Sequence, residues 1–273
     1  MCIRMVFMDL DGTLLTSQKT ISPHTRHALQ MAADRGIEIV PATGCFCRGI
    51  PPVVRELPFI RYVVAMNGAE ILDLQEKRVL FRSGLAYEDV ERLMAYMDTL
   101  PVIYDCFQDG WGWMDAVFYR KIRQYIQDPH TAEMVETLRT PVQDLRASIC
   151  EKSGPVCKMQ MFFADRTRRI QELERAPRLF PTLSVSTSIV NNIEFTSPQA
   201  HKGAALKTLC AHLKIAQEET AAFGDDFNDI SMLQSAGTGV AMANASESVK
   251  LAADRITGAN DEDGVASVLE EYL

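Results

Sequence analysis

The chain has 273 residues, enough for one large domain or two small ones and for a core that needs no staples. An apolar share of 47% with a charged share of 23% excludes disorder, collagen and coiled coil as whole-chain descriptions. A formal net charge of −8 argues against a nucleic-acid binder, whose affinity comes largely from neutralising phosphates.

No apolar run approaches the ~18 residues of a membrane helix. The opening MCIRMVFMDLDG runs from a short apolar stretch straight into carboxylates, without a small-residue cleavage site, so it does not read as a signal peptide. The seven cysteines (2, 45, 47, 106, 150, 157 and 210) form no CxxC and pair with no His at metal spacing. Neither zinc nor a disulfide framework is expected. The expectation is a cytoplasmic chain with no membrane or nucleic-acid partner. With no heptad seam in view, it is a monomer or a weak homo-oligomer.

In chain order, residues 3–8 (IRMVFM) predict a strand. Ser22-Pro23 predicts a helix start, with Pro at the first helical position, and Gly36 its stop. Residues 37–42 (IEIVPA) and 62–66 (YVVAM) predict the next strands, so strand, helix and strand alternate as in a parallel α/β sheet. From about 83 the pattern changes. Val90, Leu93, Met94 and Met97 mark an amphipathic helix. Residues 158–163 (KMQMFF) alternate, which predicts an antiparallel sheet with one wet face carrying Lys158 and Gln160. From about 191 the parallel pattern returns: a helix over 202–213, a strand over 220–224, a helix through 231–236, a strand over 239–243 and a closing helix over 262–272. No internal repeat appears. The expected fold is α/β, a parallel sheet flanked by helices (1–82 and 189–273) interrupted by an inserted α+β domain (83–188).

Four places on this frame carry chemistry. Asp9-Leu10-Asp11-Gly12-Thr13 lies at the C-terminal end of the first strand, where open α/β sheets bind ligands. Two carboxylates there are costly unless a cation sits between them. Gly224-Asp225-Asp226-Phe227-Asn228-Asp229 ends another strand and opens a helix; capping needs one or two acids, not three and an Asn. Thr43-Gly44 offers a hydroxyl and N–H groups to a phosphate oxygen. Lys202 opens a helix, against the helix dipole, which suggests an anionic partner. Rival motifs fail on spacing. An EF-hand loop from Asp9 would need Gly and Glu where Leu14 and Thr20 stand, and a P-loop would need Ser or Thr where Gly203 follows Lys202.

In this order, Asp-x-Asp-Gly-Thr, Thr-Gly, Lys and Gly-Asp-x-x-Asn-Asp, the chain resembles the haloacid dehalogenase-like (HAD) phosphohydrolases. It is most similar to the Cof-type branch, whose Rossmann-like core carries a large α/β cap inserted after the second motif. The likeness spans nearly the whole chain and is strongest over GDDFNDISMLQSAGTGVAMANASESVKLAADRIT, with the later DEDGV run and Asn67-Gly68-Ala69 in support.

The resemblance implies a Mg²⁺-dependent phosphatase of a small phosphorylated metabolite, such as a sugar phosphate. Asp9 would be the nucleophile that forms an aspartyl-phosphate. Asp11 would protonate the leaving alcohol and then activate water. Leu10, Thr43, Gly44, Lys202 and Asn228 would hold the phosphate. Asp9, Asp225 and the backbone carbonyl of Asp11 would hold Mg²⁺, with Asp229 and Asn67 in support. The cap would select the leaving group. One departure stands out: the branch usually has Thr-Gly-Arg, and here Cys45 takes the Arg position, with Arg48 three residues on. Cys45 and Cys47 are expected to pack as small apolar side chains; a cysteine phosphatase would need Arg where Pro51 or Val53 stands. Phosphomutase chemistry and a non-catalytic phosphometabolite sensor remain the alternatives.

Overall fold

The strand Met5–Met8 is buried along its whole length because it has a neighbour on each edge. Met5 pairs with Glu38 on one side and with Thr220 on the other, and both ladders are parallel. The resulting sheet runs Arg255–Ile256, Thr238–Ala241, Thr220–Gly224, Met5–Met8, Glu38–Pro41. Its inner strands read as continuous apolar runs because helices cover both faces. Val6 and Met8 join one apolar cluster with Ala28 and Leu29 of the helix Pro23–Asp34 and Val265 of the helix Gly264–Leu269. Met5 and Phe7 join the other, with Ala205, Leu206 and Leu209 of the helix Lys202–Leu213. This is the expected α/β core.

The computed structural model describes residues 2–273, the side chain of Cys47 excepted. The packing expected of Cys47 therefore lies outside the described residues. Local signals act as the sequence predicts. Ser22 caps its helix, with Oγ accepting the Thr25 N–H at 2.9 Å, and Gly36 takes the left-handed conformation that ends it (φ +81°). The strand expected over 62–66 forms as Tyr62–Ala65, but outside the five-stranded parallel sheet. Tyr62–Ala65 forms an antiparallel hairpin with Glu70–Asp73 and meets the main sheet through a single parallel bridge, Ala42 to Val64. The left-handed Asn67 and Gly68 turn the chain back on itself too soon for a crossover helix.

The chain divides into two compact units. One runs from the N-terminus to Phe81 and resumes at Gln199–Leu273; the other is Arg82–Pro198. The second unit is a six-stranded sheet backed by helices, with Val156–Phe163 and Val102–Gln108 antiparallel at its centre. It reaches ten residues past the expected end at 188, because Asn192–Thr196 pairs antiparallel with Val156–Phe163. One face of this sheet is apolar: Met159, Met161 and Phe163 pack with Leu93 and Met97 of the helix Tyr87–Met97. The opposite face is not wet as predicted. Gln160 and Glu194 are each 2% exposed and Asp105 is fully buried. These groups pair with one another instead of with water, although the buried Asp105 Oδ1 has no hydrogen-bond partner among the described residues. Arg139 Nε donates to Asp105 at 2.6 Å, Gln160 Nε2 donates to Asp105 at 3.0 Å, and Lys158 Nζ donates to Glu194 at 3.0 Å. Among the described residues, no helix is long and apolar enough to cross a membrane.

Candidate active site

Asp9 follows the strand Met5–Met8 and continues its ladder, its N–H donating to the Phe223 carbonyl at 3.0 Å. The neighbouring strand Thr220–Gly224 ends at the same level and delivers Asp225. Parallel pairing thus brings the two acidic motifs side by side. Gly12 makes the approach possible. It sits at φ +83°, and a Cβ there would lie 2.3 Å from Asp225 Oδ2. Thr13 closes the contact by donating its hydroxyl to Asp225 Oδ1 at 2.7 Å.

Lys202 enters from the first turn of its helix and is fully buried. Its Nζ donates to Asp9 Oδ1 at 2.5 Å and to Asp229 Oδ1 at 2.6 Å. The other Asp229 oxygen accepts the N–H groups of Asp225 and Asp226 at 2.9 and 3.0 Å. Gly224 is a glycine for the same reason as Gly12: a Cβ there would meet Asp229 Cβ at 2.4 Å. Asp229 is thus a fixed anion that holds both the lysine and the turn.

Asp9, Asp225 and Asp229 offer carboxylate oxygens within 4.8 Å of one another. Two buried carboxylates share the Lys202 ammonium. Burial pushes the Asp9 carboxyl up to about 7; Lys202 pulls it down, and Asp229 pushes it further up. Burial would lower the Lys202 ammonium, but Asp9 and Asp229 more than offset that, so it lies above the usual lysine value. Burial, with Asp229 and Asp226 nearby, pushes Asp225 up to about 6, against the Thr13 hydrogen bond. Asp229 has both oxygens occupied, which leaves Asp9 and Asp225 to offer oxygens to a cation. A set of hard oxygen donors with no nitrogen or sulfur suits Mg²⁺.

A second group surrounds Thr43. Its side chain is buried, and its Oγ1 accepts the Cys45 N–H at 3.1 Å. The Asn67 N–H donates to the Thr43 carbonyl at 2.9 Å, and Gly44 runs so close to Asn67 that a Cβ would lie 3.1 Å from Asn67 Oδ1. Asn67 accepts from Asn228 Nδ2 at 2.9 Å, while the buried Asn228 Oδ1 has no partner among the described residues. Asn67 holds a left-handed backbone (φ +55°), tolerable for Asn.

The structure brings Asp9, Lys202, Asp225 and Asp229 into one cluster, and Thr43, Gly44, Asn67 and Asn228 into another. The Leu10 side chain belongs to the apolar core, while its backbone hydrogen-bonds the Asp9 carboxyl. The Asp11 side chain stands apart, 58% exposed, with Oδ1 accepting from Lys19 Nζ at 2.6 Å. Sequence reasoning did not single out Lys19; nothing in its spacing from Asp11 marks it. It also passed over Asn244, whose Nδ2 donates to the Gly12 carbonyl at 2.8 Å.

The chain matches the haloacid dehalogenase-like hydrolase family over residues 6–269. Phosphatase YwpJ of Bacillus subtilis is 29% identical, covering 99% of this chain and all of that protein. Pyridoxal phosphate phosphatase YbhA of Escherichia coli is 28% identical over the full length of both chains. A solved haloacid dehalogenase-like hydrolase from Bacteroides thetaiotaomicron superposes with a TM-score of 0.83 at 30% identity, covering 99% of this chain and 100% of that one. Match and geometry lead to one conclusion: the chain belongs to the haloacid dehalogenase-like hydrolases and is one of that family's phosphatases.

Proposed function

We propose that the protein is a Mg²⁺-dependent phosphatase of small phosphorylated metabolites that works through an aspartyl-phosphate on Asp9. The observation that carries this reading is Lys202, fully buried and bridging Asp9 and Asp229. A carboxylate attacks a phosphate dianion only where fixed positive charge offsets their repulsion. Lys202 is such a charge, and Asp229 keeps it from moving.

In the first step an Asp9 oxygen bonds to phosphorus and the bond from phosphorus to the alcohol oxygen breaks. Asp11 gives its proton to that oxygen, and the alcohol leaves. In the second step Asp11, now a carboxylate, takes a proton from water as the water oxygen attacks phosphorus. The bond between phosphorus and Asp9 breaks and inorganic phosphate departs. Splitting one displacement into two lowers each barrier. The Thr43 hydroxyl and the Gly44 N–H hold phosphate oxygens, and Asn228, steadied by Asn67, offers them a further amide. Asp9, Asp225 and the Asp11 carbonyl would hold Mg²⁺, which would supply charge neutralisation for the transferring phosphoryl group.

The Arg82–Pro198 unit is the proposed specificity element, since it interrupts the chain between the second and third motifs. One of the relatives named above is named for pyridoxal phosphate, a small phosphorylated metabolite, which supports a substrate of that class here.

The test is phosphate release from a panel of sugar phosphates, nucleotides, pyridoxal phosphate and p-nitrophenyl phosphate. Wild type and Asp9→Asn are each assayed with Mg²⁺ and with a chelator. Turnover that needs Mg²⁺ and vanishes in Asp9→Asn is the expected result. Turnover that survives the substitution would remove Asp9 as nucleophile.

A further inference from the structure

The Asp11 carboxylate is not among the three that converge. It lies in an ion pair with Lys19 instead, at 2.6 Å. Exposed ion pairs are common and usually contribute little. Two features distinguish this one. First, Asp11 is the proposed acid and base, so whatever holds its carboxylate acts on the chemistry. Second, Lys19 is delivered by an anchored turn. The Thr16 N–H donates to the Thr20 carbonyl at 2.9 Å and the Lys19 N–H to the Thr16 carbonyl at 2.8 Å. Lys19 holds φ +59°, a left-handed backbone that lysine adopts only at a cost. The turn is tied down from the C-terminal side of the chain. The Ser17 N–H and hydroxyl both donate to Asp261, at 2.8 and 2.5 Å, and Asn260 Nδ2 donates to the Leu15 carbonyl at 2.8 Å.

We propose that Lys19 is a positioning residue for Asp11, holding its carboxylate outside the acidic cluster so that Asp11 must leave Lys19, and take up a proton from solvent water as it does, before it can protonate the departing oxygen. The inference rests on the phosphatase reading above. It makes the pair a cost carried only by substrates that need the proton. An alkyl phosphate expels an alkoxide and depends on Asp11 in the first step. p-Nitrophenyl phosphate expels a stabilised phenolate and does not. kcat/KM reports the reaction up to that first transfer, so it isolates the step.

The experiment measures kcat/KM of wild type, Lys19→Met and Lys19→Arg on p-nitrophenyl phosphate and on the best alkyl phosphate of the panel. In Lys19→Met the ratio of alkyl to aryl kcat/KM should rise by up to about fivefold, the scale of an exposed ion pair. Lys19→Arg should keep the wild-type ratio. Added salt, which screens exposed pairs, should raise the ratio in wild type and not in Lys19→Met. An unchanged ratio, or a rise that Lys19→Arg shares, would overturn the proposal. A second readout needs no turnover: the melting temperatures of Lys19→Met, Asp11→Asn and the double variant. Non-additive shifts support the pair, and additive ones overturn it. A wild type with no turnover on any ester would instead sink the phosphatase reading, and the stability cycle would still decide the pair.

Discussion

Lys202 and Gly12 carry the sharpest demands on single residues. Replacing Lys202 with Met leaves Asp9 and Asp229 buried beside each other with no cation. Removing one partner of a buried pair costs about 3–5 kcal/mol. Losing a fixed charge at a developing transition state costs a further factor of about 10²–10³ in kcat. Denaturant unfolding and phosphate release of Lys202→Met should show both losses. Gly12→Ala should fail differently. Its methyl would press on Asp225 Oδ2 at a backbone angle alanine avoids, so the acidic cluster shifts while the helices stay intact. Circular dichroism should be native and Mg²⁺-dependent turnover lost; normal turnover would show that the turn adapts. The two acidic motifs, the Thr-Gly step and Lys202 were legible as residues because strand ends and helix starts are local features. The Lys19–Asp11 pair was not, since a charged side chain eight residues from an Asp points anywhere until the turn between them is known.

The strands of the Arg82–Pro198 unit show where reading by pattern stops. Alternation identified the apolar face of Val156–Phe163 correctly, because Met159, Met161 and Phe163 must meet helices. It misjudged the other face. Lys158 and Gln160 look solvated until Asp105, Arg139 and Glu194 arrive from strands that are distant in sequence. Asn192–Thr196 was assigned to the other unit for the same reason: apolar and polar residues alternate within it, and only long-range pairing decides which sheet takes it. The buried network also sets a stability prediction. Arg139 is 6% exposed and its partner Asp105 is fully buried. Arg139→Met should therefore destabilise the protein by about 3–5 kcal/mol, because Asp105 keeps its burial and loses its cation. Replacing Asp105 and Arg139 together with apolar residues should recover much of that loss in chemical unfolding. A double variant as unstable as the single one would assign the network a role beyond charge pairing.

At the scale of the whole chain, two measurements read how the distant segments hold together. His24, in the first helix, pairs with Glu270 at 2.7 Å and with Asp263 at 3.3 Å, near the C-terminal end. The hydrogen bond to Glu270 raises the His24 pKa above 6.5. A raised histidine stabilises the fold fully below its unfolded value and loses that contribution as pH climbs through its folded value. The melting-temperature gap between wild type and His24→Gln should be widest near pH 6 and close above pH 8; a gap independent of pH would rule out the charged pair. Mg²⁺ offers the second measurement. A ligand that binds only the folded state raises its melting temperature. Mg²⁺ should raise that of wild type more than that of Asp225→Ala. Equal shifts would remove Asp225 as a ligand.

The insertion of residues 82–198 between the halves of the core has a consequence for how the protein is made. Asp9 and Lys202 are 193 residues apart in sequence, and the strand bearing Asp9 has its second neighbour at Thr220–Gly224. During synthesis, Arg82–Pro198 leaves the ribosome complete while Met5–Met8 still lacks that neighbour. Contacts of such long range form slowly, and an unpaired strand edge invites aggregation meanwhile. A stalled or truncated chain is therefore expected to carry no partial activity, since Asp9, the proposed nucleophile, waits on residues translated last. Released chains truncated near residue 200 should be protease-resistant in the inserted unit and sensitive in the first eighty residues, and chaperone demand during synthesis should fall once the segment through Asp229 has left the ribosome.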